Sequence, residues 1–196
     1  MALANKHSVY FGGKIIEATV TDKAAVADDW VQNVQSPYNV QNIVAGLDCK
    51  FKPHPIRSLS NKIASLQICI DTKCLVFRLL HMDYIPQSIK SFLSDPKITF
   101  VGFEVQHNSL KLGAEYEIFV GNKVDIRALA KLWLPITFSR QSSMRGLAYK
   151  LAGLTIQKTN KPYTCDWESL VLDKQMIDHA SIDANVSYRI AHKLLN

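Results

Sequence analysis

The sequence predicts an α/β fold, and two observations carry that prediction. Short apolar runs of strand length recur in the first half of the chain, and residues 43–47 are apolar throughout, as in a central strand. Segments of the second half have apolar residues at three- and four-residue spacing, as on the buried face of a helix. The 196 residues contain no linker, internal repeat or low-complexity stretch, which indicates one domain.

The predicted strands begin with a hairpin. Residues 8–11 and 14–21 alternate apolar and polar around Gly12-Gly13, a two-residue turn of the kind that tight β-hairpins prefer. Further strands are predicted over residues 43–47, 63–70, 74–80 and 98–103. The second and third of these are close enough in sequence to form another hairpin.

The predicted helices separate and follow these strands. They cover residues 28–34, 85–93, 125–134, 144–151 and 173–195. Gly153 stands just after the fourth helix, where a C-cap glycine is expected. From residue 109 onward the chain is therefore expected to be mostly helical.

The charge of the chain is mildly basic. It has 23 Lys and Arg against 17 Asp and Glu, a formal net charge of +6. Between Asp125 and Asp166 lie seven Lys and Arg side chains and no acidic one. Such a bias favours a polyanionic partner such as nucleic acid, although the solvated face of an ordinary basic enzyme would give the same composition.

Composition also indicates where the protein works. Four cysteines occur without a C-x-x-C pair or a histidine at zinc spacing, which is typical of a reduced protein of the cytoplasm or nucleus. Lys6 and His7 interrupt the apolar stretch that a signal peptide needs, and no run reaches the ~20 apolar residues of a membrane span. We therefore expect an intracellular protein with no membrane partner.

Two pairs of residues could carry chemistry. Asp48 ends the apolar strand at 43–47 and Lys50 is two residues on, so both point to the same side of the sheet. His179 and Asp183 are four residues apart on a predicted helix and therefore stack on one face. A histidine and an aspartate so placed can bind a metal or activate water, or they can simply cap the core.

Five motifs follow one another along the chain: LDCK at 47–50, FVGFEVQHN at 100–108 with LKL at 110–112, RGLAYKLAGL at 145–154, DWE at 166–168 and HASIDA at 179–184. In this order they resemble the motifs of the DEDD, or DnaQ-like, 3'-5' exonucleases. The branch they resemble most is that of RNase D and the Werner-syndrome-like exonucleases. The N-terminal hairpin and the Trp30 helix also look like those of small plant-type members such as the RISC-interacting clearing exoribonucleases.

The resemblance implies a ribonuclease-H-like fold, a mixed five-stranded sheet flanked by helices. Residues 1–40 would be a hairpin and helix extension within the same domain, and residues 41–196 the 3'-5' exonuclease-like domain. Single-stranded RNA or DNA is the implied partner, with RNA favoured. A homo-oligomer is implied as well, since hexameric rings occur among the small members.

The same resemblance implies metal-assisted hydrolysis of phosphodiesters. In the family, four carboxylates hold two divalent cations, Mg²⁺ or Mn²⁺, about 4 Å apart, which activate water and stabilise the leaving oxygen. A tyrosine, or a histidine in the sister branch, four residues before the last carboxylate orients that water. By position, Asp48 matches the first carboxylate and Asp183 the last, so these two are the implied metal ligands.

Three positions depart from the pattern. Lys50 stands at the second carboxylate, Asn108 at the third, and His179 at the tyrosine. An ammonium reverses the charge of a ligand, and an amide is a neutral, weaker ligand for a hard cation. The site is therefore expected to be degenerate and ordinary two-metal catalysis to be weakened.

Three interpretations stay open at this point. In the first, Asp48 and Asp183 hold one cation, Lys50 replaces the other beside the phosphate, and His179 is the base. In the second, the chain binds single-stranded nucleic acid without cleaving it. In the third, it is an assembly or regulatory subunit.

Other residues have smaller expected roles. The candidate nucleic-acid contacts are basic residues of the loop after residue 50 and of the helix at 144–151, namely Lys52, Arg57, Lys62, Arg145 and Lys150. Glu104 is a candidate substitute ligand, although a strand residue that points into the core or to solvent is the simpler interpretation. Three aromatic residues, Trp133, Tyr149 and Trp167, are expected in the core, and Asp125 and Asp166 as helix caps.

Overall fold

The computed structural model describes residues 5–36, 42–56, 59–134, 142–157 and 165–195. The strands are β1 (Asn5–Phe11), β2 (Lys14–Thr21), β3 (Ile43–Lys50), β4 (Ser65–Ile70), β5 (Lys73–Phe77), β6 (Ile98–Gly102) and β7 (Asn122–Asp125). The helices are α1 (Ala24–Gln35), α2 (Gln87–Ser94), α3 (Val105–Tyr116), α4 (Ile126–Trp133), α5 (Met144–Leu147) and α6 (Lys174–Leu195). A 3-10 turn (Leu79–His81) follows β5, and a π-helical turn (Ala148–Ala152) continues α5.

The strands form one mixed sheet in the order β1-β2-β5-β4-β3-β6-β7. β3 lies near its centre, antiparallel to β4 and parallel to β6. The hairpin β1–β2 joins the sheet through parallel pairing of β2 with β5. The expected α/β mixed sheet is confirmed, and it has seven strands because the hairpin adds two to the five of the inner sheet.

Helices pack on both faces of the sheet. On one face, Trp30 of α1, Phe92 of α2 and Phe100 of β6 meet edge to face, with ring centroids 6.2 and 5.9 Å apart along the series. Such aromatic pairs add to the free energy gained from burial alone. On the other face, α6 crosses β3 and its neighbours, so that its long buried stripe and the central strand form the middle of the core.

Gly46 allows α6 to approach β3 closely. A Cβ atom at this position would lie 1.9 Å from the carbonyl oxygen of Ala184 and 2.7 Å from the amide nitrogen of Tyr188. No side chain fits in that space, so the backbones of the strand and the helix are in direct contact. Residues farther along β3 on the same side therefore face the first half of α6.

Several element boundaries differ from the predicted ones. β7 was not predicted, because its four residues have no apolar alternation. Helix α3 begins directly after β6 through Glu104, whose φ of 58° turns the chain sharply, so Asn108 is helical. Helix α1 begins at Ala24, four residues before its predicted start.

The second predicted hairpin is confirmed as β4–β5, and the last helix matches its predicted span within one residue. The proposed boundary between residues 40 and 41 lies outside the described residues and stays a prediction. Of the helices in the described part of the chain, none is long and apolar enough to cross a membrane.

Candidate functional site

The C-terminal end of β3 directs two charged side chains toward α6. Strand residues alternate between the two faces of a sheet. Because Gly46 lies under α6, Asp48 and Lys50 point to the same side, while Leu47 and Cys49 point to the opposite one and are buried. The prediction that Asp48 and Lys50 share a face is confirmed.

The Lys50 ammonium joins two carboxylates. Its Nζ lies 2.7 Å from Oδ2 of Asp48 and donates a hydrogen bond to Oδ2 of Asp183 on α6. The side chains are 12% exposed for Lys50 and 16% for each aspartate. These three residues, Asp48, Lys50 and Asp183, form a largely buried carboxylate–ammonium–carboxylate triad with a net charge of −1.

Each charge of the triad depends on the others. Burial opposes the Lys50 charge, but Asp183 and Asp48 outweigh it and raise the pKa of Lys50 above its usual value. Burial raises the pKa of Asp48, with Lys50 acting against this shift and Asp183 adding to it. The ammonium therefore stays charged at neutral pH and provides the counterion that the two buried aspartates need.

His179 lies at the open edge of the triad. It is one turn before Asp183 on α6, and its Nε2 is 3.4 Å from Oδ2 of that residue, as their spacing predicts. Burial lowers the pKa of His179; Asp183 opposes this shift and Lys50 adds to it. The imidazole is thus predominantly neutral at pH 7.

Trp167 covers the triad from the chain segment before α6. Its ring lies 5.9 Å from Nζ of Lys50, within cation–π range, and 6.2 Å from the ring of His179. The Arg78 guanidinium donates to the backbone carbonyls of Ser169 and Leu170 and so fixes this segment. Trp167 is 4% exposed, which confirms its expected place in the core.

Two polar residues of β4 extend the site and were not found from the sequence. Gln67 pairs with Asp48 and Ser65 with Lys50 across the antiparallel ladder, so their side chains are on the same face as the triad. Nε2 of Gln67 donates to Oγ of Ser65 at 2.7 Å, and Oε1 of Gln67 has no hydrogen-bond partner among the described residues. Only the strand register, which sequence patterns did not specify, could have identified them.

Asn108, at the position of the third carboxylate, and Glu104, the candidate substitute ligand, do not join the triad. Asn108 is buried on α3, and no described hydrogen bond links its side chain to Asp48, Lys50 or Asp183. Glu104 is exposed at the start of α3, where Oε1 lies 3.5 Å from Nη1 of Arg127. Glu104 therefore faces solvent, and no described contact links it to the triad.

The donor set does not fit the pair of divalent cations that the family resemblance implies. Within the described ranges, no group of three or more His, Cys, Asp or Glu side chains could hold a metal ion. The two carboxylates that remain, Asp48 and Asp183, both contact an ammonium instead. A cation would have to displace Lys50 before it could bind either.

The predicted nucleic-acid contacts are dispersed. Lys52 is exposed, with Nζ 3.6 Å from Oδ1 of Asp166, and Lys62 is exposed on the same loop. Arg145 and Lys150 are exposed on α5 and the π-helical turn. Arg57 lies outside the described residues. No described contact connects Lys52, Lys62 or Arg145 to the triad, and a role of the basic residues in binding stays a prediction.

Two of the aromatic residues lie at the surface, and one of the two aspartates caps a helix. Tyr149 is 66% exposed and Trp133 56% exposed, so the prediction that both are core residues is wrong. Asp125 caps α4 by accepting a hydrogen bond from the amide of Arg127 at 2.8 Å, as predicted. Asp166 begins no helix; it lies in an irregular segment ahead of α6.

Proteins of known sequence resemble the chain over most of its length. A 3'-5' exonuclease from Arabidopsis thaliana is 28% identical over 192 residues, which are 95% of this chain and 65% of the relative. The exonuclease 3'-5' domain-containing protein 2 of Drosophila melanogaster is 28% identical over 84% of this chain. The chain spans only 27% of that second protein.

Solved structures share the fold. RNase D from Trypanosoma brucei superimposes with a TM-score of 0.75 at 19% identity, covering 91% of this chain and 64% of that one. Escherichia coli RNase D gives 0.74 at 15% identity, covering 90% and 44%. The EXD2 exonuclease domain, in crystals soaked in Mn, gives 0.54 at 20% identity, covering 91% and 89%.

A 3'-5' exonuclease domain profile matches residues 17–196, nearly the whole sequence. The matched residues include β3 and α6, the two elements that carry the triad, and they begin within the N-terminal hairpin. The chain belongs to the 3'-5' exonuclease family.

Proposed function

We propose that this chain binds the 3' end of single-stranded nucleic acid beside the triad and does not hydrolyse it by the two-metal route. The observation that carries this proposal is the Lys50 ammonium between Asp48 and Asp183. Two buried carboxylates that already share a close cation have little affinity left for another. The ammonium thus supplies, within the chain, a single positive charge at the place where the family pattern has divalent ions.

The charge of the triad opposes the binding of a phosphate less strongly than four carboxylates without cations would. Four carboxylates would carry −4 and would repel a phosphate unless cations were bound. The triad carries −1, and its ammonium is shielded from solvent, where a charge-assisted hydrogen bond is stronger than in water. RNA is the favoured ligand in this proposal because two of the proteins with the same fold are RNase D enzymes.

Binding and cleavage can be measured on one sample. A 5'-labelled single-stranded oligonucleotide is incubated with the protein in Mn²⁺ or Mg²⁺; anisotropy reports binding and a denaturing gel reports shortening. We expect binding without shortening, and the same binding in EDTA. Shortening that requires Mn²⁺ and is abolished in both Asp48→Ala and Asp183→Ala would contradict the proposal, with Asp29→Ala, an exposed acid on α1, as the control.

A second candidate function is slow hydrolysis, and His179 favours it. The imidazole is neutral at pH 7 and lies beside Asp183, as a general base should. In this case Lys50 would stabilise the phosphate charge and His179 would accept the proton of the attacking water. Slow shortening that His179→Gln abolishes and EDTA leaves unchanged would identify this reaction.

Restoring the family acids shows whether the missing metal ligands alone prevent hydrolysis or whether the rest of the groove has also diverged. If the loss of ligands is the only change in the groove, Lys50→Glu combined with Asn108→Asp gains metal-dependent shortening. If the double variant binds Mn²⁺ but does not shorten the strand, then the groove has diverged beyond its ligands.

A role as an assembly subunit is the third interpretation. The expected homo-oligomer and hexamer stay predictions, as do the plant-type relationship and the cytoplasmic or nuclear location. Light scattering after size exclusion measures the oligomer directly. A protein that forms a stable oligomer but binds no oligonucleotide would favour the assembly role over binding.

A further inference from the structure

Two neighbouring cavities lie between the N-terminal hairpin and α6, outside the triad. The larger, about 610 Å³, is bounded by residues 10–12 of the hairpin, residues 155–157 and the first half of α6. The smaller, about 270 Å³, is bounded by the start of β2, the β4–β5 turn and the last turns of α6. Neither has a role in the function proposed above.

The larger cavity begins at the candidate site, because His179 is one of its walls. Tyr10, which is 75% exposed, also lines this cavity and presents its aromatic ring to solvent. The amides of Gln157 and Gln175 also line it. An exposed aromatic ring with amide groups nearby suits an unpaired nucleobase, which stacks on the ring and hydrogen-bonds along its edge.

The smaller cavity is cationic. Lys14, Arg189 and Lys193 line it with a single acid, Asp71, so positive charges exceed negative ones by two. Nζ of Lys14 lies 3.2 Å from Asp71, and Arg189 donates a hydrogen bond to the Gly12 carbonyl at 3.1 Å. An anion of two charges, or two phosphates in succession, would balance this surface.

The two cavities follow the same flank of α6. The hairpin tip lies between them, since Gly12 lines the larger cavity and accepts the hydrogen bond of Arg189 from the smaller one. From His179 to Lys193 the helix rises about 21 Å, at ~1.5 Å per residue. A stacked single strand, rising ~3.4 Å per nucleotide, covers that distance with roughly six nucleotides.

From this arrangement we infer that the two cavities, and the hairpin tip that separates them, form a track over which the 5' part of the bound strand runs. With the 3' end beside the triad, bases enter the larger cavity near Tyr10, and phosphates about six nucleotides away reach Lys14 and Lys193. The inference rests on the proposed function and adds a length requirement to it. Strands that are too short to reach the cationic cavity gain nothing from it.

The test compares two strand lengths. We use 5'-labelled oligouridylates of three and ten nucleotides, with anisotropy as the readout in EDTA, and the double variant Lys14→Gln/Lys193→Gln. For the ten-nucleotide strand we expect the double variant to lose at least tenfold in affinity. We also expect the slope of log affinity against log salt concentration to become shallower by about 1.4, the value for two lost phosphate contacts. Binding of the three-nucleotide strand is expected to be unchanged.

A second variant and a control complete the design. Tyr10→Ala, which removes the exposed ring, is expected to lower the affinity for the ten-nucleotide strand by roughly tenfold. The control, Lys90→Gln/Lys97→Gln, removes the same charge near α2, on the opposite face of the sheet. If the control weakens binding equally, or if both track variants bind the long strand as the wild type does, the track is overturned. If the wild type binds neither strand, the proposed function itself fails.

Discussion

At the scale of single residues, Lys50 is the counterion of Asp48 and Asp183, and its removal is expected to lower the free energy of unfolding. Lys50→Met leaves Asp48 and Asp183 facing each other without a cation, which is expected to destabilise the fold by about 3 kcal/mol at pH 7. Urea unfolding measures this, with Lys97→Met as a surface control. Burial raises the pKa of Asp48, and the variant lacks the ammonium that opposes this shift, so the deficit should shrink at pH 5. An unfolding free energy equal to that of the wild type at pH 7 would refute this role.

His179 gives the fold a pH dependence whose sign follows from its lowered pKa. The folded protein keeps the imidazole neutral, whereas the unfolded chain protonates it near pH 6.5. Its contribution to stability is therefore complete above pH 6.5 and is lost as the pH falls below that value. We expect the wild type to lose more unfolding free energy between pH 7 and 5 than His179→Gln; parallel curves for the two proteins would contradict this.

At the scale of elements, the contact of α6 with β3 depends on Gly46. Gly46→Ala places a methyl group against the Ala184 carbonyl and forces the helix away from the strand, at an expected cost of about 3 kcal/mol. Gly113→Ala on α3 is the matched control, because its nearest neighbour would be 3.7 Å away. The control should be neutral or stabilising by up to ~1 kcal/mol, since alanine favours helices. Equal urea midpoints for the two variants would show that the contact is not tight.

The elements also show which parts of the fold were predictable. β3 and α6 were, because a continuous apolar run and a long helical period are strong signals. β7 was not, because its parallel ladder with β6 and not a local pattern holds it in the sheet. The sharp start of α3 was not either, because no local pattern marks the positive φ of Glu104. The pairing of Asp48 with Gln67 likewise depends on a register that sequence alone did not specify.

At the scale of the whole molecule, the N-terminal hairpin contributes to the core of the sheet. Ile16 on β2 is fully buried, whereas its neighbour Ile15 is 53% exposed. Ile16→Ala is therefore expected to lower the unfolding free energy by about 3 kcal/mol, and Ile15→Ala by less than ~1 kcal/mol. If chemical unfolding shows both variants close to the wild type, the hairpin contributes little to the stability of the domain.

For the candidate site, the sequence predicted which residues take part but not how they contact one another. Motif order placed Asp48 and Asp183 together and identified Lys50 as the unusual residue. It did not show that the ammonium contacts both aspartates, because that requires α6 to cross β3 over Gly46. The surplus of basic charge thus includes one lysine that neutralises a site in the interior and does not act as a surface contact.

Isothermal titration of the full chain with Mn²⁺ tests most directly whether Lys50 takes the place of the cation. The triad predicts no saturable heat for the wild type at millimolar Mn²⁺, and saturable binding once Lys50→Glu and Asn108→Asp restore the acids. Saturable binding by the wild type that Asp48→Ala and Asp183→Ala both abolish would contradict the account, because the two aspartates would then hold a metal ion in spite of Lys50.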